Sequence, residues 1–115
     1  MYIPVRVRLY SEDFIPLPFV NRVLCHRFLL IDIIVTNRGD TQSLRYIYVD
    51  FNARGTQRYI LTYPQYLLKS ARLVSEKTLT CDIFQLNEII RKLNTKYNLL
   101  HHNCIHHSNK LYSSL

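Results

Sequence analysis

The chain predicts an α+β domain, a small antiparallel sheet of four to five strands with two to three helices packed on one side. Three observations lead there. Residues 2–10 alternate apolar and polar side chains with a period of two. Residues 25–36 and 44–52 are dense in β-branched and aromatic side chains. Residues 82–96 switch to helical spacing behind an Asp suited to cap a helix. At 115 residues the chain is long enough for one hydrophobic core, so residues 1–115 are read as a single domain.

Each element has its own reason. Ile3, Val5, Val7 and Leu9 oppose Pro4, Arg6 and Arg8, the pattern of a half-buried first strand with a proline near its start. Residues 11–18 carry two prolines and two acids and read as a loop. Residues 25–36 are apolar on both faces, which requires a strand covered from both sides. Gly39 suits a turn over residues 37–41, so the strand over 44–52 is the antiparallel neighbour of the one before it. A second turn around Gly55 leads to a short strand over 58–62. Pro64 fits the first turn of a helix over 65–72, and residues 74–80 are either a further strand or an extended linker. Asp82 and Gln85 form a capping-box pair, and Ile83, Leu86, Ile89, Ile90 and Leu93 make one apolar stripe. The last helix starts near Asn103, with Ile105, Ser108, Tyr112 and Leu115 aligned.

Composition narrows the class. With 48% hydrophobic and 20% charged residues, the chain resembles folded proteins rather than disordered ones. Its most apolar window, residues 28–35, is interrupted by Asp32 and is too short for a bilayer, so no transmembrane segment is expected. Arg6 and Arg8 break the N-terminal apolar run, which argues against a signal peptide. The net charge of +7 suits an acidic protein surface, nucleic acid or anionic lipid as partner, yet its bases are scattered from Arg6 to Lys110 with no like-charge block. Cys25, Cys81 and Cys104 form no paired framework, so reduced thiols in a cytoplasmic or nuclear compartment are expected.

The chemistry gathers in Tyr97-Asn98-Leu99-Leu100-His101-His102-Asn103-Cys104-Ile105-His106-His107-Ser108-Asn109. Here Cys104 follows an apolar run at the first turn of the terminal helix. Unpaired N–H groups and the helix dipole favour a thiolate at such a position. His26, at the start of a central strand, is the candidate base, and Asp50 on the adjacent strand is the candidate orienting carboxylate. Backbone N–H groups of Asn103 and Cys104 would stabilise an oxyanion. This chemistry needs no cofactor. Three other readings use overlapping residues. Cys104 and His107, with Cys25 and His26 or the flanking His101, His102 and His106, could hold Zn²⁺. Basic and aromatic residues interleave in Arg45-Tyr46-Ile47-Tyr48 and in 54–59, as on a base-stacking surface for nucleic acid. In the third, Cys104 is an inert small hydrophobe and His101, His102 and His107 are solvated.

The Cys104 run resembles the Cys box of the PPPDE proteins, which include the deSUMOylating isopeptidases. There a Tyr-Asn-Leu-Leu run leads into Asn-Asn-Cys-Asn-His-Phe-Ser-Asn. It is also similar to the Asn-Cys-x-His-Phe box of the lecithin-retinol-acyltransferase-like proteins. Both belong to the circularly permuted NlpC/P60 papain-like superfamily, in which a strand-borne His precedes a helix-borne Cys. The resemblance implies a permuted papain-like fold, Cys104 as nucleophile, His26 as base and Asp50 as the polar residue of the next strand. It implies an isopeptide, thioester or lipid ester as the acyl substrate, carried on a protein or a lipid. His106 matches the family's His after the Cys, which is structural there. The chain departs from the pattern at His107, where the family has an aromatic residue, and at Arg27, where it has a small or aromatic one. The alternative is a non-catalytic module of the same fold whose basic surface binds an acidic partner.

Overall fold

A computed structural model describes residues 1–13, 25–52, 55–69, 71–93 and 104–115. Five strands form one antiparallel sheet: β1 (Tyr2–Asp13), β2 (Cys25–Thr36), β3 (Gln42–Asn52), β4 (Gly55–Leu61) and β5 (Arg72–Thr78). Their spatial order is β4-β3-β2-β1-β5. The described helices are α1 (Gln65–Leu68), α2 (Ile83–Lys92) and α3 (Cys104–Ser114). The α+β class and the antiparallel sheet follow the sequence pattern.

Strand parity divides the interior in two. Leu29, Ile31 and Ile33 of β2 join Val7, Leu9, Ile47 and Val49 on one face, where Leu86 and Ile90 of α2 and Leu111 of α3 cover them. Phe28 and Leu30 point to the other face and pack with Tyr10, Tyr46, Tyr48, Leu61, Leu68 and Ala71. Both faces of β2 are therefore covered, as the apolar residues on both of its faces demand. Asp82 caps α2: its carboxylate accepts from the Gln85 N–H at 2.8 Å, and the Gln85 side chain accepts from the Asp82 N–H at 2.9 Å. The β2–β3 turn has Gly39 at φ 81° and Asp40 at φ 62°, left-handed conformations suited to these two residue types.

Four expectations change. The helices do not all lie on one side, because Leu68 of α1 packs on the second face. The chain must travel from β4 at one edge to β5 at the other, and it does so across that face. The helix expected over 65–72 stops at Leu68, and β5 begins at Arg72, where pairing with Ser11 of β1 satisfies the backbone. The ambiguous stretch over 74–80 is thereby mostly strand. β1 runs on to Asp13 through pairs with β2 down to Asp13↔Cys25, where a loop was expected from residue 11. A register shift between Pro4 and Arg6 also inserts Val5 as an extra residue. Ile3 is left 43% exposed, so the expected alternation fails at that end.

Asp32, the interruption in the apolar window, is buried on the second face. Its Oδ2 accepts from Arg6 Nε and Nη2 at 3.0 and 2.7 Å, and its Oδ1 accepts from Arg8 Nη2 at 2.9 Å. The hydrogen bond to Asp32, together with its charge, raises the Arg6 pKa above its ordinary value. Two of the bases that give the chain its net charge are thus held by one carboxylate.

Candidate functional site

The site lies where the sheet divides. The β2–β3 register runs from Thr36↔Gln42 to Leu29↔Val49. Among the described residues, β2 continues beyond that point along β1, from Phe28↔Tyr10 to Cys25↔Asp13, and β3 along β4, from Asp50↔Gln57 to Asn52↔Gly55. The two hairpins part, leaving a fork between the start of β2 and the end of β3.

The first turns of α3 are fastened at this fork. The His107 ring stacks on Phe51 with centroids 4.4 Å apart and planes inclined by 10°. His107 Nε2 lies 3.2 Å from Thr56 Oγ1 of β4. Ser108 Oγ donates to the Arg27 carbonyl of β2 at 3.0 Å, and Arg27 Nη1 donates to Asn109 Oδ1 at 2.7 Å. His107 and Ser108 are each 1% exposed. His107 therefore packs on an aromatic ring and is not solvated, where one expectation left it in water. Further along α3, Leu111 enters the core and Tyr112 Oη meets Ser75 Oγ of β5 at 2.8 Å. The helix thus crosses from the fork towards the β1–β5 edge.

Three polar side chains meet on the other face of the fork. His26 Nε2 lies 3.2 Å from Tyr48 Oη, and Tyr48 Oη donates to Asp50 Oδ2 at 3.0 Å. The same carboxylate oxygen is 3.4 Å from His26 Nε2. The His26 and Asp50 side chains are only 16% and 14% exposed. A ladder of rings supports them. Phe28 lies 6.0 Å from His26, 5.0 Å from Tyr48 and 5.4 Å from Tyr10, and Tyr48 lies 6.1 Å from Tyr59. Burial, then the Asp50 charge and hydrogen bond, push the Tyr48 phenol well above its ordinary pKa.

The structure brings His26 and Asp50 together with Tyr48 set between them, a residue that sequence reasoning had assigned only to packing or stacking. A signal was present: Tyr48 and Asp50 share a parity on β3, and the turn pairs that strand with β2. The His26 ring belongs to the sheet face opposite the one that α3 covers, and the neighbouring Arg27 reaches α3. Cys104 is the first residue of α3. Its side chain lies outside the described residues, as do that of Cys25 and all of Asn103, His101 and His102. Among the described residues no three His, Cys, Asp or Glu converge as metal ligands. His106 is exposed on α3 while its neighbour His107 is buried. Cys81 is half-buried, and that burial raises its thiol pKa and disfavours the reactive thiolate.

An apolar groove of about 550 Å³ lies between Tyr2, Ile3, Pro4, Cys81, Ile83 and Phe84. It opens beside the Met1 end of β1, whereas His26 pairs with Glu12 at the other end, so the groove is not part of this cluster.

The buried phenol has a consequence for stability. Tyr48 stays protonated in the fold while an unfolded tyrosine ionises above about pH 10. The unfolded state then binds fewer protons, so stability falls as pH rises, by about 1.4 kcal/mol per pH unit. Urea unfolding at about pH 9 and pH 11 is expected to show a loss of about 1.4 kcal/mol from this group between the two in the native sequence, and a smaller one in Tyr48→Phe.

Compared with known proteins, the chain matches no family model, no curated protein and no solved structure.

Proposed function

We propose that the protein is a cysteine-dependent acyl-transfer enzyme in which Cys104 is the nucleophile, His26 the base and Asp50 part of the support for that base. The single observation that carries this reading is the fork. Cys104 stands one turn, about 6 Å along the axis, ahead of Ser108, which is tied to Arg27 beside His26. Because α3 runs from the fork towards β5, that turn leads back to the gap between β2 and β3. Among the described residues, β2 and β3 form no pair there.

The chemistry runs in two halves. The Cys104 thiol gives its proton to the imidazole, and the sulfur adds to an acyl carbonyl. The developing oxyanion is met by backbone N–H groups at the helix start. The tetrahedral adduct collapses, and the leaving amine, alcohol or thiol takes the proton from the imidazolium. Water then loses a proton to His26 and attacks the thioester, releasing the acid and restoring the thiol. An isopeptide, a thioester or a lipid ester each satisfies this scheme, and the permuted papain-like fold is part of the same proposal.

A second reading is a non-catalytic module that binds an acidic protein or nucleic acid through its net charge of +7. One observation favours it: His26 shares its sheet face with Phe28 and Tyr48 rather than with α3.

Iodoacetamide labelling near pH 6, read by peptide mass spectrometry, separates the two. The enzyme reading expects Cys104 to react about tenfold faster than Cys81, and His26→Asn to slow Cys104 by about tenfold. Equal slow labelling of Cys104 and Cys81, unchanged in His26→Asn, would remove the dyad and leave the binding module.

A further inference from the structure

We infer that Tyr48 is the positioning residue for His26: its hydroxyl donates to Asp50 and accepts from the imidazole, holding the ring proton on Nε2 and making Nδ1 the basic nitrogen. The acyl-transfer reading supplies what Nδ1 acts on. The location of the proton follows from the two contacts at Nε2.

A phenol has one proton to give. At Tyr48 the two neighbours are the Asp50 carboxylate at 3.0 Å and the imidazole at 3.2 Å. An ionised oxygen is the stronger acceptor, so the proton goes to Asp50 and an oxygen lone pair faces His26. A lone pair on Nε2 would then oppose a lone pair on Oη, whereas an N–H completes a hydrogen bond. The carboxylate makes the same demand independently. Asp50 Oδ2 lies 3.4 Å from Nε2, and an unprotonated nitrogen there would face a negative oxygen. Both contacts require the Nε2–H tautomer, which leaves Nδ1 as the acceptor nitrogen of the neutral ring.

The direction of the chain of hydrogen bonds is stable. Burial and the Asp50 charge keep the Tyr48 proton in place. Phe28 and Tyr59 flank the phenol ring at 5.0 and 6.1 Å, so the hydroxyl is held by packing as well as by its partners. Asp50 thus acts on His26 both directly, at 3.4 Å, and through Tyr48. In the acyl-transfer cycle the mobile proton enters and leaves at Nδ1 while the other proton stays on Nε2, donated to Tyr48 Oη. An imidazolium formed at Nδ1 then points its other N–H into an oxygen dipole backed by a carboxylate.

Two-bond ¹H–¹⁵N spectra of histidine-labelled protein test this without any activity. The native sequence is expected to show His26 about tenfold in favour of Nε2–H above its titration range. Asp50→Ala frees the phenol to donate to Nε2, so the population is expected to move towards Nδ1–H. Adding Tyr48→Phe to Asp50→Ala is expected to cancel that movement. Tyr48→Phe alone keeps the ring packing and brings the imidazole and the carboxylate into direct partnership. It is expected to raise the His26 titration midpoint by about one unit. Glu12, paired opposite His26 on β1, contributes equally before and after the change, so the difference isolates Tyr48. A native Nδ1–H tautomer would overturn the inference. So would an Asp50→Ala tautomer population indifferent to the Tyr48 hydroxyl. An Nε2–H His26 whose replacement by Asn leaves Cys104 alkylation unchanged would sink the enzyme reading while the assignment of Tyr48 stands.

Discussion

Asp32→Ala is expected to destabilise the fold by about 3–5 kcal/mol, a large part of a small domain's total stability. The carboxylate is 5% exposed and receives three guanidinium hydrogen bonds from Arg6 and Arg8. Arg6 is 43% exposed and can return to water, but Arg8 is 15% exposed. Removing Asp32 leaves the Arg8 charge on a largely covered face beside Leu30 and Tyr10. Replacing all three residues with apolar ones of similar volume removes the stranded charge along with the pair. Such a triple variant is expected to recover most of the loss. Urea unfolding checks both, read as a midpoint that shifts at constant slope. An Asp32→Ala loss below about 1 kcal/mol would mean the arginines are solvated and the cluster is a surface feature.

Leu111→Ala is expected to cost about 2–5 kcal/mol, and the cost should appear first in α3. Leu111 is 0% exposed and is the fully buried residue by which α3 enters the main core, with Tyr112 packed against the same core. Around it the helix relies on the His107 stack and the Ser108 hydrogen bond at the fork and the Tyr112 contact at β5. Amide exchange is expected to show α3 protection falling before that of β2, which is buried on both faces. Equal loss across α3 and β2 would mean that the helix and the sheet unfold as one unit. Cys104 opens α3, so on the acyl-transfer proposal a frayed helix also weakens the dipole and N–H groups that would favour its thiolate. Fast labelling of Cys104 should therefore decline in the same variant.

Elements with a local cause were readable in advance. The Asp82–Gln85 capping box and the apolar stripe of α2 depend on residues within one or two turns. The double-faced burial of β2 is written in the apolar residues on both of its faces, and the turn at Gly39 follows from a residue that accepts positive φ. Elements whose cause lies across the chain were not readable. The strand ending at Thr78 was ambiguous because its partner, β1, stands some seventy residues earlier. The bulge at Val5 reversed one end of an otherwise regular alternation, since register is a property of the pair and not of one strand.

The same division runs through the site. From residue types and order alone came an early imidazole, a carboxylate on the next strand and a thiol at a late helix start. These are features of chemistry and of local periodicity. Only the tertiary structure decided that β2 and β3 separate beyond Leu29 and Val49, that His107 packs on Phe51, and that a phenol stands between His26 and Asp50. It also decided that His26 looks away from the face covered by α3. A side chain's neighbours depend on which strands meet and in what register. That is set by the total burial and hydrogen bonding of the sheet, which no local stretch of sequence encodes by itself.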